Sequence, residues 1–101
     1  MVTGARKRTE TDAASGEFVV RNRLGLHARA ATKLVNLASQ FPCDVFVSNE
    51  EQRANAKSVM GVLLLCGAQG SRLVVEAHGE CAAQAVEEIG KLIAERFGEE
   101  E

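Results

Sequence analysis

A chain of 101 residues with a formal charge of −2 has room for one domain with a modest core. Acidic and basic residues nearly balance, so no broad basic surface points to nucleic acid, and no apolar run is long enough for direct membrane insertion or a secretory signal. Cys43, Cys66 and Cys81 are odd in number, widely spaced and in no CxxC pair, and His27 lies far from His78. That pattern argues against a compact metal motif and calls for no cofactor; reduced, mostly buried thiols in a cytoplasmic monomer are expected.

Residues 1–16 mix Thr, Ala, Gly, Arg and Asp without period and are expected to be a disordered extension. The folded domain is expected over residues 17–98, with an acidic tail at 99–101. Residues 17–21 read as a first strand, with Phe18 and Val20 on one face and Glu17, Val19 and Arg21 on the other. Gly25 turns the chain. From Ala28 to about Gln40, Ala31, Leu34, Val35, Ala38 and Phe41 recur at helical spacing until Pro42 stops the helix.

Cys43, Val45 and Val47 alternate with Asp44, Phe46 and Ser48 as a second strand. Asn49, Glu50 and Glu51 suit a hairpin turn into a weakly signalled third strand over residues 52–56, so these two strands pair antiparallel. Ser58 is placed to cap a short helix, although Val62, Leu63, Leu64 and Leu65 equally suit a strand. After a turn-rich connector at residues 66–70, Leu73, Val75 and Ala77 alternate as the fourth strand, ended by Gly79. A last helix is expected from about Glu80 to Arg96, with Ala82, Ala85, Val86, Ile89, Leu92, Ile93 and Phe97 as its buried stripe and Gly98 as its stop.

The most informative stretch is Asn22-Arg23-Leu24-Gly25-Leu26-His27-Ala28-Arg29, which puts His27 where a loop gives way to a helix. Free N–H groups and aligned peptide dipoles at a helix start favour an anion. An unprotonated imidazole is a nucleophile near neutral pH, and Arg29 brings a fixed charge and a planar donor fork. Together these suit a phosphoryl group held transiently on His27. Taken alone, however, a histidine at a helix start is more often an exposed or capping residue than a catalytic one. His78 has no such neighbours and reads as structural or surface.

This stretch resembles the active-site signature of the histidine-containing phosphocarrier HPr family of the bacterial phosphoenolpyruvate-dependent sugar phosphotransferase system. Ala54-Asn55-Ala56-Lys57-Ser58-Val59-Met60-Gly61 is similar to the family's second signature, and Gly67-Ala68-Gln69-Gly70 to its following turn. The resemblance implies a short helix after Ser58. It also implies an α/β (α+β) open-faced sandwich in the order βαββαβα, a four-stranded antiparallel sheet covered on one face by helices. It further places the start of the first helix, with His27, close to that short helix.

The resemblance implies that His27 accepts a phosphoryl group at Nδ1 from phospho-enzyme I and passes it to a IIA-type permease component, with Arg29 stabilising the charge. Such a chain is a phosphoryl-transfer intermediate rather than an autonomous small-molecule enzyme. Where an HPr kinase/phosphorylase exists, the resemblance makes Ser58 a regulatory phosphorylation site. It also favours partner contact by Leu26, Val59 and Met60, rimmed by Arg23, Arg29 and Lys57. Two other readings share these residues: a regulatory phosphocarrier reporting nitrogen or carbon status, and a binding module controlled by Ser58 phosphorylation. One departure is Ala30, where family members usually carry proline; alanine restores an N–H and loosens the first helical turn.

Overall fold

The computed structural model describes residues 12–101. Strands with every second residue turned inward and helices with an apolar stripe follow one another as β1 (Ala13–Val19), α1 (Ala28–Ala38), β2 (Asp44–Ser48), β3 (Arg53–Asn55), α2 (Val59–Leu64), β4 (Arg72–His78) and α3 (Ala82–Ala94). A 3-10 turn, Arg96–Gly98, follows α3. The strands form one antiparallel sheet in the order β1-β4-β2-β3, so the long β4 lies inside and the three-residue β3 at an edge.

One face of the sheet offers Val20, Val45, Val47, Leu73, Val75 and Ala77 to the helices. Leu34 and Val35 of α1 and Val86, Ile89 and Ile93 of α3 cover it. Two amphipathic helices on one face of a small sheet leave the other face to solvent, the open-faced sandwich the sequence leads one to expect. At Gly90 α3 comes so close to β1 that a Cβ there would lie 2.2 Å from the Phe18 ring. No helix among the described residues is long and apolar enough to cross a membrane.

The bounds of β1, β3 and α3 differ from expectation. β1 begins at Ala13 rather than Glu17, taking residues 13–16 from the expected extension, and ends at Val19. Ala13, Ala14, Ser15 and Gly16 carry no strand preference of their own; pairing along β4, from Ala13 opposite His78 to Val19 opposite Arg72, makes them a strand. Residues 1–11 of that extension lie outside the described residues. β3 is shorter than expected, and α3 stops at Ala94, so Phe97 is buried from the turn beyond the helix rather than from its stripe.

The thiols also differ, since only Cys43 is buried: Cys81 is half-buried and Cys66 exposed. Burial, reinforced by the hydrogen bond and charge of Cys81, pushes the Cys43 thiol up to about 11. It therefore stays protonated near neutral pH and is a poor nucleophile.

Candidate functional site

The loop between β1 and α1 is held by the buried Asn22. Its Nδ2 donates to the Gly25 carbonyl at 2.8 Å, and the Gly25 N–H donates back to the Asn22 carbonyl at 3.1 Å. Gly25 has φ +67, and a Cβ on it would sit 2.3 Å from the Gly67 carbonyl oxygen. The Leu26 N–H donates to that same oxygen at 2.8 Å, so the connector after α2 clamps the loop. Gly25→Ala is expected to cost roughly 2 to 4 kcal/mol, from left-handed strain plus the backbone clash. Urea unfolding measures that cost, and an unchanged midpoint would mean that the loop is not clamped in this way.

His27 is the N-cap of α1, with extended backbone at φ −76 and ψ 178. Its carbonyl accepts from the Ala31 N–H at 2.8 Å, and its Nδ1 accepts from the Arg29 N–H at 3.2 Å. The other ring nitrogen, Nε2, pairs with Glu99 Oε2. An Nδ1 that accepts and an Nε2 that faces a carboxylate define one tautomer, with the proton on Nε2 and the lone pair on Nδ1. The capping role that the sequence allows is therefore seen, and it leaves the Nδ1 edge of the ring without a proton.

Glu99 was the unforeseen member of the site. Read as part of an acidic tail, it is only 16% exposed, and Asn22 Nδ2 donates to its Oε1 at 3.0 Å. Burial pushes the Glu99 carboxyl up, but hydrogen bonds from His27 and Asn22, with the charge of Lys33, outweigh burial and hold it below the usual range. Arg96 and Phe97 turn the chain back at φ 61 and 55, the fully buried Phe97 pins the turn, and Lys33 Nζ donates to the Phe97 carbonyl at 2.7 Å. Two consecutive left-handed residues other than glycine are not forecast by any local signal.

Arg23, Leu24, His27 and Arg29 line one open pocket with Glu99, Glu100 and Glu101. Arg23 pairs with Glu101, side chain to side chain at 3.1 Å and through its N–H to the Glu101 carbonyl. Arg29 is exposed on the first turn of α1, with its backbone N–H on the Nδ1 side of the ring.

Ser58 caps α2 as its position suggests: its Oγ accepts from the Gly61 N–H at 3.1 Å. Lys57 is tied down, with Nζ donating to the Phe41 carbonyl at 2.8 Å, just past the C-terminal end of α1. The eleven residues of α1 span about 16 Å, so Lys57 and Ser58 lie at the end of α1 away from His27. The expectation that α2 lies near α1 holds, but it runs back along α1 and brings its C-terminal end, rather than Ser58, towards the His27 loop.

Two residues expected to meet a partner are held by the domain itself. Leu26 is 5% exposed and belongs to the core, because Gly67 covers it. Lys57 is committed to Phe41 rather than free at a rim. Val59 and Met60 are exposed, as are Leu24 and Leu64, which the sequence reading did not single out. Among the described residues no group of three or more His, Cys, Asp or Glu could hold a metal ion.

The fold is a small open-faced sandwich that presents the N-cap histidine of α1 in one pocket with two arginines. A family model described as "PTS HPr component phosphorylation site" matches residues 14–95. The phosphocarrier protein HPr of Xylella fastidiosa is 42% identical over 84 residues, covering 83% of this chain and 94% of that protein. HPr of Cupriavidus necator is 44% identical over 85 residues, covering 84% and 96%. A crystal structure of HPr-C-His from Thermoanaerobacter tengcongensis superposes with a TM-score of 0.83 at 34% identity, covering 87% of this chain and 99% of that one.

The chain belongs to the HPr family of phosphocarrier proteins. It is a phosphoryl carrier of the phosphotransferase system, an intermediate in transfer rather than an enzyme that turns over a small molecule. Members of the family exchange phosphoryl groups with enzyme I and IIA components.

Proposed function

We propose that His27 Nδ1 is the atom that takes the phosphoryl group from phospho-enzyme I and gives it to a IIA-type component. The observation that carries this reading is the tautomer: Nε2 is occupied by Glu99, and Nδ1 offers its lone pair on the side of Arg29. The Arg29 N–H releases the Nδ1 lone pair, which attacks phosphorus as the bond to the donor breaks and its electron pair leaves with the donor. Arg29 then faces the equatorial oxygens, and the unpaired N–H groups at the start of α1 orient towards the same charge. Arg23 and the exposed apolar residues Leu24, Val59, Met60 and Leu64 form the surface on which partners dock, with charge steering the encounter. The protein acts as a cytoplasmic monomer.

The test is onward transfer. Chain labelled from phosphoenolpyruvate and enzyme I, freed of enzyme I and mixed with a IIA component, is expected to lose its label as the IIA component gains it. Label that stays on the chain, while a second phosphocarrier discharges in the same mixture, contradicts the carrier role assigned to His27.

Ser58 is the regulatory position where an HPr kinase/phosphorylase is present. A phosphate there adds charge beside the docking residues Val59 and Met60 rather than at His27, so it acts on partner encounter. Ser58→Asp is expected to lower the rate of His27 phosphorylation on the order of tenfold, about 1.4 kcal/mol of added barrier. Equal rates for Ser58→Asp and the wild type argue against this regulation.

A further inference from the structure

We propose that Glu99 is a positioning residue for phosphoryl transfer: its carboxylate keeps the proton on His27 Nε2 and so presents the Nδ1 lone pair to the donor. The inference rests on His27 being the acceptor. A carboxylate only accepts hydrogen bonds, so the ring nitrogen it faces must carry the hydrogen, and in a neutral imidazole the other nitrogen is then bare. The Arg29 N–H, donating to Nδ1 at 3.2 Å, demands the same tautomer from the opposite edge of the ring.

The placement of Glu99 is built into the fold. Asn22, fully buried, uses one amide group to hold both the Gly25 carbonyl and Glu99 Oε1, so the loop that carries His27 and the segment that carries Glu99 share a single anchor. The left-handed turn at Arg96 and Phe97, with Phe97 buried and its carbonyl held by Lys33, aims the segment back at the ring.

Glu99 also suits the charge that develops. As the Nδ1–P bond forms and the donor departs with its electron pair, the ring becomes cationic and keeps its Nε2 proton, opposite the Glu99 carboxylate. When the phosphoryl group leaves for the next acceptor, the N–P pair returns to Nδ1 and the ring is neutral again with the same proton. No proton is exchanged, so Glu99 is not a base. The width of the ring separates its charge from the phosphoryl oxygens, which lie on the Arg29 side. Arg23, Arg29, Lys33, Glu100 and Glu101 are the other charged groups around this ring.

The experiment compares wild type with Glu99→Ala and Glu99→Gln by nitrogen NMR of the His27 ring at a pH where it is neutral, alongside single-turnover phosphorylation by enzyme I. The wild type is expected to show a bare Nδ1 and a protonated Nε2. Glu99→Ala is expected to mix the tautomers and to lower the maximal transfer rate on the order of fivefold, with the KM for enzyme I unchanged or lower. Glu99→Gln has one oxygen to share between His27 and Asn22 and falls between the two.

Variants that match the wild type in tautomer and rate overturn the role of Glu99 while leaving His27 as the acceptor. Faster transfer in Glu99→Ala also overturns it, because the carboxylate would then be guarding the site. A wild-type chain that takes no phosphate on His27 overturns the acceptor reading itself, and this inference with it.

Discussion

Replacing His27 with alanine is expected to abolish phosphoryl acceptance while the domain stays folded. The side chain contributes the Nδ1 cap on α1 and the pairing with Glu99, and it is 27% exposed, so little apolar packing is lost. Loss of an N-cap costs about 1 kcal/mol, against roughly 5 to 15 kcal/mol for a domain of ordinary stability. Thermal unfolding should shift by about 4 to 8 °C. Incorporation of phosphate from phosphoenolpyruvate and enzyme I should fall to background in the same preparation. A folded His27→Ala chain that still takes up acid-labile phosphate would place the acceptor on another residue.

The largest effect on stability is expected at Phe97. It is the bulkiest of the fully buried side chains, and it enters the core from a turn rather than from a helix or strand. Phe97→Ala removes a ring from a close-packed site and should cost about 3 to 5 kcal/mol. In the wild type, burial of that ring offsets the left-handed backbone at Arg96 and Phe97. Denaturant titration reads the loss as a lower midpoint. Where the variant is folded at low denaturant, the His27 ring should show the same mixed tautomers as Glu99→Ala, since the segment carrying Glu99 has lost its pin. A stability within about 1 kcal/mol of wild type would mean that Phe97 does not anchor the turn.

Much of this was legible in the chain. Alternation in residues 43–48 and 72–78 announced β2 and β4, and the helical spacing of Leu34, Val35 and Ala38 announced α1. The cap at Ser58 followed from its place before an apolar run, although only the family resemblance chose a helix over a strand for residues 59–64. Asn49 formed the expected turn by accepting at Oδ1 from the N–H groups of Glu51 and Gln52, at 2.8 and 2.7 Å.

What was not legible depends on contacts distant in sequence. Ala13 to Gly16 become strand because β4 is there to pair with them. Leu26, between a glycine and His27, looked like a contact residue, but the Gly67 turn buries it. Glu99 lies seventy-two positions from His27, and its arrival at the ring depends on a left-handed turn and a buried aromatic that no local pattern encodes. The residues proposed to carry the chemistry were therefore visible as a motif, while the residue proposed to orient them was visible only in three dimensions.

The most direct measurement of the carrier claim is nitrogen and phosphorus NMR of the 15N-labelled chain after phosphorylation by enzyme I and phosphoenolpyruvate. A single phosphoramidate is expected, with the phosphorus coupled to Nδ1 of His27 and the proton retained on Nε2. Phosphorus coupled to Nε2, or phosphate on any residue other than His27, would contradict the geometry described for this site.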